Sequence, residues 1–322
     1  MKVLVTGATS LIGSAVVRSL IARGDEVTTF QRRPAGLDTP EVLGDITDGD
    51  AVTRATEGMD AVIHLAALVS VIGAWPTFEA VNVQGTANVL TAARQAGATR
   101  FVHISSPSVA HHGTSLAGEG AGPADPERAR GHYARSKAMA EELALTGGGQ
   151  GMAVVSLRPH LVWGPGDTQL IGRIVERAEQ GRLALIGQGA ALIDTTYLDN
   201  AVDAIVAALD RAEGLDGRAF VVSNGQPRTV RELFTRICAA ASVAPPKLRV
   251  PFPVARAGGA VAERVWDRLG REDDPPMTSF LAEQLATAHW FDQRETRAAL
   301  GWQPTVSLDD GFDRLAAWYA TR

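Results

Sequence analysis

Short apolar runs alternate with amphipathic stretches along the first half of the chain, and that alternation predicts the architecture. Val3, Leu4 and Val5 read as a strand, Thr6 to Ser10 as a turn of small residues, and Leu11 to Arg23, closed by Gly24, as a helix. A second strand follows at Val27 to Phe30, and a short third one leads to Gly44. The run from Asp60 to Ala67 is apolar enough to be a strand covered on both faces, as parallel sheets require. Then come a helix from Thr77 to Gly97, a strand from Arg100 to Ser105, a helix from His132 to Leu145 and a strand from Met152 to Leu157. Such alternation predicts an α/β fold built on a doubly wound parallel sheet. Beyond Thr168 helical patterns dominate, punctuated by Pro245, Pro246, Pro251, Pro253, Pro275 and Pro276. The expected division is a sheet domain over 1–167 and a smaller, mainly helical lobe over 168–322. The short strands Leu183 to Ile186 and Ala219 to Ser223 are able to carry the chain back to the sheet.

The first strand, turn and helix also carry chemistry. In a loop of this kind the backbone N–H groups and the positive end of the helix dipole face outward together, where a pyrophosphate can accept from them. Glycines let the ligand approach and let helix and strand pack closely, so the stretch reads as the phosphate loop of a Rossmann dinucleotide site, 1–167 being the dinucleotide-binding domain. At the end of the second strand an acidic residue would bind the 2′-hydroxyl of NAD. Here the position is Gln31, and Arg32 and Arg33 follow. Arginine accommodates a 2′-phosphate, which favours NADP with NAD still possible; the alternative is a solvated basic turn.

Composition narrows the class. Hydrophobic residues at 45% and charged residues at 21% describe an ordinary globule, and 31 Lys plus Arg against 36 Asp plus Glu give a net charge of −5, which argues against a nucleic-acid surface. The one cysteine, Cys238, excludes an intrachain disulfide and sits in an apolar periodicity with Leu233, Ile237 and Ala241, so a packed thiol is expected. No basic and apolar leader pattern precedes the first strand, and a cytoplasmic location is expected. The most apolar stretch, Ala61 to Trp75, contains His64 and Ser70 and is shorter than the roughly 20 residues a membrane span needs. His64 is expected to be a packed strand-end histidine rather than a catalyst.

Three features point to a reacting centre. The strand from Arg100 ends in Ser105, Ser106 and Ser108, and a loop rich in Gly, Ala, His and Pro runs from there to about Gly131; loops of that length are usually functional. Tyr133 and Lys137 stand four apart on one face of the next helix. In the helix from Thr77, Asn82, Gly85, Thr86 and Asn88 interrupt the amphipathic face, so something lies close to it. Hydride transfer at a carbinol or carbonyl carbon needs a proton relay at the oxygen. A tyrosine with a pKa of about 10 serves poorly near neutral pH unless a cation within about 4 to 6 Å lowers it by roughly 1 to 3 units. Lys137 would supply that field and hold the nicotinamide ribose, although in an arbitrary helix the same pair would be a solvated face.

Taken in order, TGATSLIG (Thr6 to Gly13), GDITD (Gly44 to Asp48), VIHLAA (Val62 to Ala67), NVQGTANVL (Asn82 to Leu90), the serine-ended strand, YARSK (Tyr133 to Lys137) and LRPHLVWGPGD (Leu157 to Asp167) resemble the extended short-chain dehydrogenase/reductase family. IDTTYLDNAV, SNGQP, HWFD and LGWQPTVSLDDG look like its 3β-hydroxysteroid dehydrogenase-like branch, which acts on sterols and 2-alkyl-3-oxoalkanoates. The resemblance implies a catalytic set of Ser106, with Ser105 and Ser108 as alternatives, Tyr133, Lys137 and Asn82, the last holding a water or backbone group of the proton path. It implies cofactor contacts at Thr6, Gly7, Thr9, Ser10, Leu11, Ile12, Gly13, Arg32, Arg33, Asp45, Ile46, Ala66, Ala67, Tyr133, Lys137, Pro159, Leu161 and Val162, and no metal. One departure stands out: the middle glycine of the family's loop is Ser10, which brings bulk and a hydroxyl able to donate in exchange.

The leading expectation is an NAD(P)-dependent oxidoreductase interconverting a ketone and a secondary alcohol on a large apolar substrate, of the sterol or long-chain 3-oxo acid type. The loop from Ser108 to Gly131 and the segment from Pro251 to Met277 have the composition of movable covers, offering His111, His112 and Trp266 with no concentrated cationic patch. In Pro251 to Arg271 the residues Val254, Val261, Val265 and Leu269 recur at near-helical spacing, as a lid, a membrane-surface helix or plain packing would have them. Expected partners are the small substrate and a second copy of the chain, with no nucleic acid, no membrane span, and membrane-surface contact left open. Two alternatives remain: a nucleotide-sugar epimerase or dehydratase with tightly bound NAD, its diphosphate held by Arg173, Arg177 and Arg182, and a non-catalytic NADP-binding sensor or scaffold.

Overall fold

The computed structural model describes residues 1–70, 72–111, 113–149, 151–269, 271, 275 and 277–322, with Asp267 by its backbone alone. Seven short strands of mostly aliphatic residues form one parallel sheet: β1 (Lys2–Thr6), β2 (Glu26–Gln31), β3 (Glu41–Leu43), β4 (Ala61–His64), β5 (Arg100–Ile104), β6 (Ala153–Pro159) and β7 (Arg218–Val222). Their spatial order is β3-β2-β1-β4-β5-β6-β7. The order reverses between β1 and β4, and in such sheets ligands bind in the crevice at the carboxyl ends of the strands beside that reversal.

Both sheet faces are covered, which is why the strands are apolar on both sides. On one face Val3, Val5 and Ile63 pack under Val16, Val17 and Leu20 of α1 (Leu11–Ala22). On the other, Leu4, Val62 and Phe101 pack under α2 (Gly49–Thr56), α3 (residues 75–95) and α4 (Gly131–Thr146). Helix α3 carries a π-helical turn over Glu79–Gln84, the kind of local widening that accompanies functional sites.

Past residue 167 the chain returns to the sheet. Leu198, Val202 and Ile205 of α6 (Leu198–Arg211) join the core under α1, β7 pairs with β6, and Leu300 and Trp302 complete that layer. The other late elements build the lobe: α5 (Ile171–Glu179), α7 (Val230–Ala240) and α11 (Leu308–Ala320) surround a second core of Trp163, Ile174, Phe234, Ile237, Phe312 and Leu315; α8 (Phe252–Arg268) and α9 (Ser279–Ala286) pack on each other through Ala255 and Ala282; and α10 (Arg294–Leu300) lies against β7 in the sheet layer. Cys238 is a free, buried thiol in that second core, as its periodicity foretells. Among the described residues no helix is long and apolar enough to cross a membrane.

Two expectations change. The strand Ala184–Ile186 does not extend the main sheet; it pairs with Leu248–Val250 in a sheet of two. The stretch after Ser108 is not a free loop either. Leu116–Glu119 pairs in parallel with His289–Phe291 inside a four-stranded sheet, and the Arg158 guanidinium donates to the carbonyls of Ala121 and Gly122. Pairing between three- and four-residue segments far apart in sequence leaves too little periodicity to read.

Candidate active site

The loop between β1 and α1 is tight for stated reasons. Gly7 has φ +77, and a Cβ there would meet the Ala66 nitrogen at 2.9 Å; a Cβ on Gly13 would meet the Gly7 carbonyl oxygen at 2.4 Å. Ser10, in the place of the family's middle glycine, is the N-cap of α1: its hydroxyl donates to the Gly7 carbonyl at 2.9 Å and accepts from the Gly13 N–H at 3.0 Å. The hydroxyl is thus spent inside the loop rather than offered to a ligand. Thr6 ties the loop to β4, its hydroxyl meeting His64 Nδ1 at 2.8 Å and accepting from the Ala66 N–H at 3.1 Å. His64 is fully buried between Thr6 and Thr86, and burial lowers its pKa to about 3, so it is a neutral packed histidine as expected.

This loop borders a cavity of about 460 Å³ over the carboxyl ends of β1, β2 and β4. Of the expected cofactor residues, Gly7, Thr9, Ser10, Arg32, Arg33, Asp45, Ile46, Ala66 and Ala67 line it. Thr6, Leu11, Ile12 and Gly13 stand behind it in the strand, cap and first turn. The sequence reading missed Phe30, Leu65, Leu68, Thr77 and Val81, which close its walls. Gln31 is buried, its amide donating to Thr29 at 3.1 Å and Glu41 at 3.4 Å, while its Oε1 is a buried acceptor without a partner. Gly7 and Gly13 leave room a Cβ would fill, and an orphaned acceptor stands beside two exposed arginines; these features fit a nicotinamide dinucleotide.

Pro159 ends β6, Leu161 and Val162 follow it, and the three line neither this cavity nor the larger one beside it. Leu161 holds a left-handed backbone, φ 44, uncommon for a leucine, and the turn after it comes near α1, with the Cβ position of Gly166 3.9 Å from Leu11 Cδ1.

At the end of β5 the backbone turns into a short 3₁₀ turn, Pro107–Ala110, capped by Ser106. The Ser106 hydroxyl accepts from Ser108 Oγ at 2.9 Å and lies near enough to the Tyr133 hydroxyl to act on its proton affinity. Ser108 therefore supports Ser106, and the Ser105 hydroxyl is buried without a partner. One turn after Tyr133, the buried Lys137 ammonium donates to the Ile104 carbonyl at 2.5 Å. Burial lowers its pKa to about 8, against the pull of Glu141. Burial raises the Tyr133 pKa, and Ser106 opposes that rise. Burial and Ser106, not the expected lysine field, set the direction of the Tyr133 shift here, and the Lys137 charge acts instead on His103 and His64.

Two further buried groups lie beneath Lys137. His103 has both ring nitrogens without partners, its ring is 5.7 Å from that of His64, and burial together with the Lys137 charge holds it well below the usual histidine range. Glu141 is in a buried ion pair with Arg158 and accepts from Ser156 at 2.9 Å.

The interrupted face of α3 is explained residue by residue. Asn82 accepts from the Leu68 N–H at 2.7 Å, donates to the Leu68 carbonyl at 3.1 Å and donates to Ser136 at 2.9 Å. It holds a backbone group, one of the two options expected of it. Asn88 donates to the Ile46 carbonyl at 2.9 Å, and a Cβ on Gly85 would meet Ile46 Cδ1 at 2.6 Å.

Leu68 and Thr77 also line a second cavity of about 1270 Å³, so the two cavities adjoin. Tyr133 opens onto it, with Ile72, Ala74, Phe280 and Trp266 among its apolar walls. Helix α8 is two-faced here: Arg256, Glu263 and Trp266 line the cavity, while Val254, Val261, Val265 and Leu269 just beyond it are exposed. Helix α8 and Arg271 therefore contribute one wall of this cavity. Of the other expected cover residues, His111 is buried against His289, with ring nitrogens 3.1 Å apart, and His112 lies outside the described residues.

The expected absence of a cationic patch is overturned: Arg128, Arg130, Arg256 and Arg271 line the cavity, with Glu263 and Glu283 among them. These arginines come from three separate segments, which is why no run in the sequence announces them. Arg173, Arg177 and Arg182, expected to serve a diphosphate in the epimerase alternative, line neither cavity.

Comparison with known proteins agrees with this geometry. Residues 3–223 match the family model described as "NAD dependent epimerase/dehydratase family". The chain is 40% identical over 327 positions to a 2-alkyl-3-oxoalkanoate reductase of Stenotrophomonas maltophilia, covering 98% of this chain and 99% of that one. It is 30% identical to a 3 beta-hydroxysteroid dehydrogenase/Delta 5-->4-isomerase of Mycobacterium tuberculosis, covering 99% and 90%. In fold it is similar to a short-chain dehydrogenase/reductase superfamily protein from Agrobacterium tumefaciens with bound NAD, at a TM-score of 0.77 and 24% identity, covering 100% and 98%.

Proposed function

From the premise that this chain belongs to the NAD dependent epimerase/dehydratase family, we propose that it interconverts a ketone and a secondary alcohol on a large, mainly apolar substrate, with NADP(H) preferred over NAD(H). The observation that carries this reading is Tyr133 on the wall of the 1270 Å³ cavity with Ser106 near enough to act on its hydroxyl, beside the smaller cleft that fits the dinucleotide. The nicotinamide, when bound, supplies or accepts the hydride.

The protein's part is the proton and the geometry. Ser106, fixed by Ser108, holds the substrate oxygen; Tyr133 gives that oxygen a proton in reduction and takes it in oxidation. Its raised pKa keeps it protonated near neutral pH, which suits a general acid for ketone reduction. Lys137, four residues after Tyr133 as in the family's pattern, would hold the ribose of the dinucleotide. Asn82 fixes Leu68, where the two cavities adjoin. Gln31, Arg32 and Arg33 support the NADP preference: no acidic side chain takes the ribose position after β2, and both guanidiniums are exposed at the cleft.

The test is Tyr133→Phe. It removes the proton donor and leaves the cofactor cleft standing, so turnover of a ketone panel should fall by about 10² to 10⁴ with NADPH affinity little changed. A variant that keeps most of its turnover would sink the mechanism.

A further inference from the structure

The charges on the large cavity do not belong to the hydride chemistry. Glu263 is spent on α9, accepting from the Ser279 N–H at 2.8 Å and the Ser279 hydroxyl at 2.9 Å. Arg271 stacks on Trp266, 4.8 Å from the ring centroid. Glu283, with its side chain 10% exposed, takes two guanidiniums at once: Arg130, three residues before Tyr133, and Arg256 of the cover helix at 3.3 Å. Two guanidiniums against one carboxylate leave one net positive charge. The arginine side chains are 43% and 57% exposed on the cavity, and each guanidinium has five donors in a fork that matches a carboxylate. Arg128, also on the cavity, is paired with Asp125 at 4.0 Å and stands outside this trio.

We propose that Arg130, Arg256 and Glu283 form an anion subsite of the substrate cavity that binds the carboxylate of a long-chain 3-oxo or 3-hydroxy acid. This rests on the oxidoreductase reading above and decides within it, for an acid and against a neutral sterol. One carboxylate balances the net charge of this trio, and the apolar walls suit a hydrocarbon chain. The cluster spans the start of the catalytic helix α4, the cover α8 and α9, so an acid seated on it also fixes the cover relative to Tyr133.

The experiment uses the purified enzyme with NADP⁺ and a matched pair, 3-hydroxydodecanoate and its methyl ester, which replaces the charge with one methyl group. The acid should be favoured in kcat/KM by about tenfold to a hundredfold, the range of a charge-assisted bond. Arg256→Met, which keeps the apolar stem, should shrink the acid-to-ester ratio toward one. Glu283→Gln removes the competing carboxylate and should widen the ratio, a change that a merely structural ion cluster would not produce. If wild type oxidises acid and ester equally well, or if both variants shift the two substrates by the same factor, the subsite is overturned while the oxidoreductase reading stands. If neither compound nor any other secondary alcohol or ketone reacts and a nucleotide sugar does, the oxidoreductase reading itself fails and takes the subsite with it.

Discussion

Lys137 shows how far one residue's chemistry departs from what its type suggests. Its ammonium is buried and its pKa is lowered to about 8 from 10.5, so the folded state binds this proton less tightly than the unfolded chain does. Below pH 8 both states carry the proton and the desolvation penalty is present in full. Between pH 8 and 10.5 the unfolded chain holds more proton than the folded one, so stability rises with pH through that window. Lys137→Met should therefore be more stable than the parent at pH 7, by about 1 to 3 kcal/mol, with the gain shrinking by pH 9.5. Denaturant unfolding at the two pH values decides it, and a less stable variant at pH 7 would mean that the bond to Ile104 outweighs the burial. The position of Lys137 four residues after Tyr133 was legible from helical spacing, but its bond to Ile104 was not, because that depends on which strand end the helix crosses. Arg32 is the opposite case, legible as chemistry from its place after β2 and exposed as that reading requires. Arg32→Ala should narrow the NADPH-over-NADH preference by roughly 10- to 100-fold in a binding titration, whereas equal affinity for both cofactors in the parent would end the 2′-phosphate assignment.

At the scale of elements, the strand, turn and helix of 1–23 were readable because everything that shapes them is local. Valines make the strand, glycine the turn, and a capping hydroxyl starts the helix. The same locality makes Ser10 interpretable: as N-cap it satisfies the Gly13 N–H, so Ser10→Ala should cost about 1 kcal/mol, and Ser10→Gly only a few tenths. Gly13→Ala acts differently, since its Cβ would press on the Gly7 carbonyl at 2.4 Å, a backbone atom that cannot swing away. It should cost about 1 to 3 kcal/mol and weaken NADPH binding at least tenfold. Paired thermal melts and NADPH titrations separate the two effects, and an unchanged affinity in Gly13→Ala would show that the close approach of β1 and α1 is not what shapes the cofactor cleft. Elements made by distant partners stayed hidden. Leu116–Glu119 looked like loop because its partner, His289–Phe291, lies in the other half of the chain, and Asn82 and Asn88 signalled a close neighbour without saying which.

For the whole molecule, the doubly wound sheet followed from alternation alone, yet the chain does not stay on its own side of residue 167. Residues Leu198–Arg211 and Arg218–Val222 return to the sheet, so the lobe hangs from it by several crossings and the cavity walls are drawn from both halves. That geometry puts the cover α8 and Tyr133 on one cavity of about 1270 Å³, with apolar walls and a charged cluster, above the few hundred to about 1,000 Å³ of common small-molecule sites. A compartment of that size beside a fixed carbonyl position makes chain length a physical variable. Each methylene that enters should add up to about 0.8 kcal/mol, close to fourfold in the specificity constant, and the rise should stop where the cavity is filled. A series of 3-oxo acids of increasing length, reduced with NADPH, would show that slope and its break. The break should move to shorter chains when Ala74, on the cavity wall, is enlarged to leucine. A flat response in the parent would mean that the apolar walls do not hold the substrate chain, and would return the choice of substrate to the polar groups of the cavity.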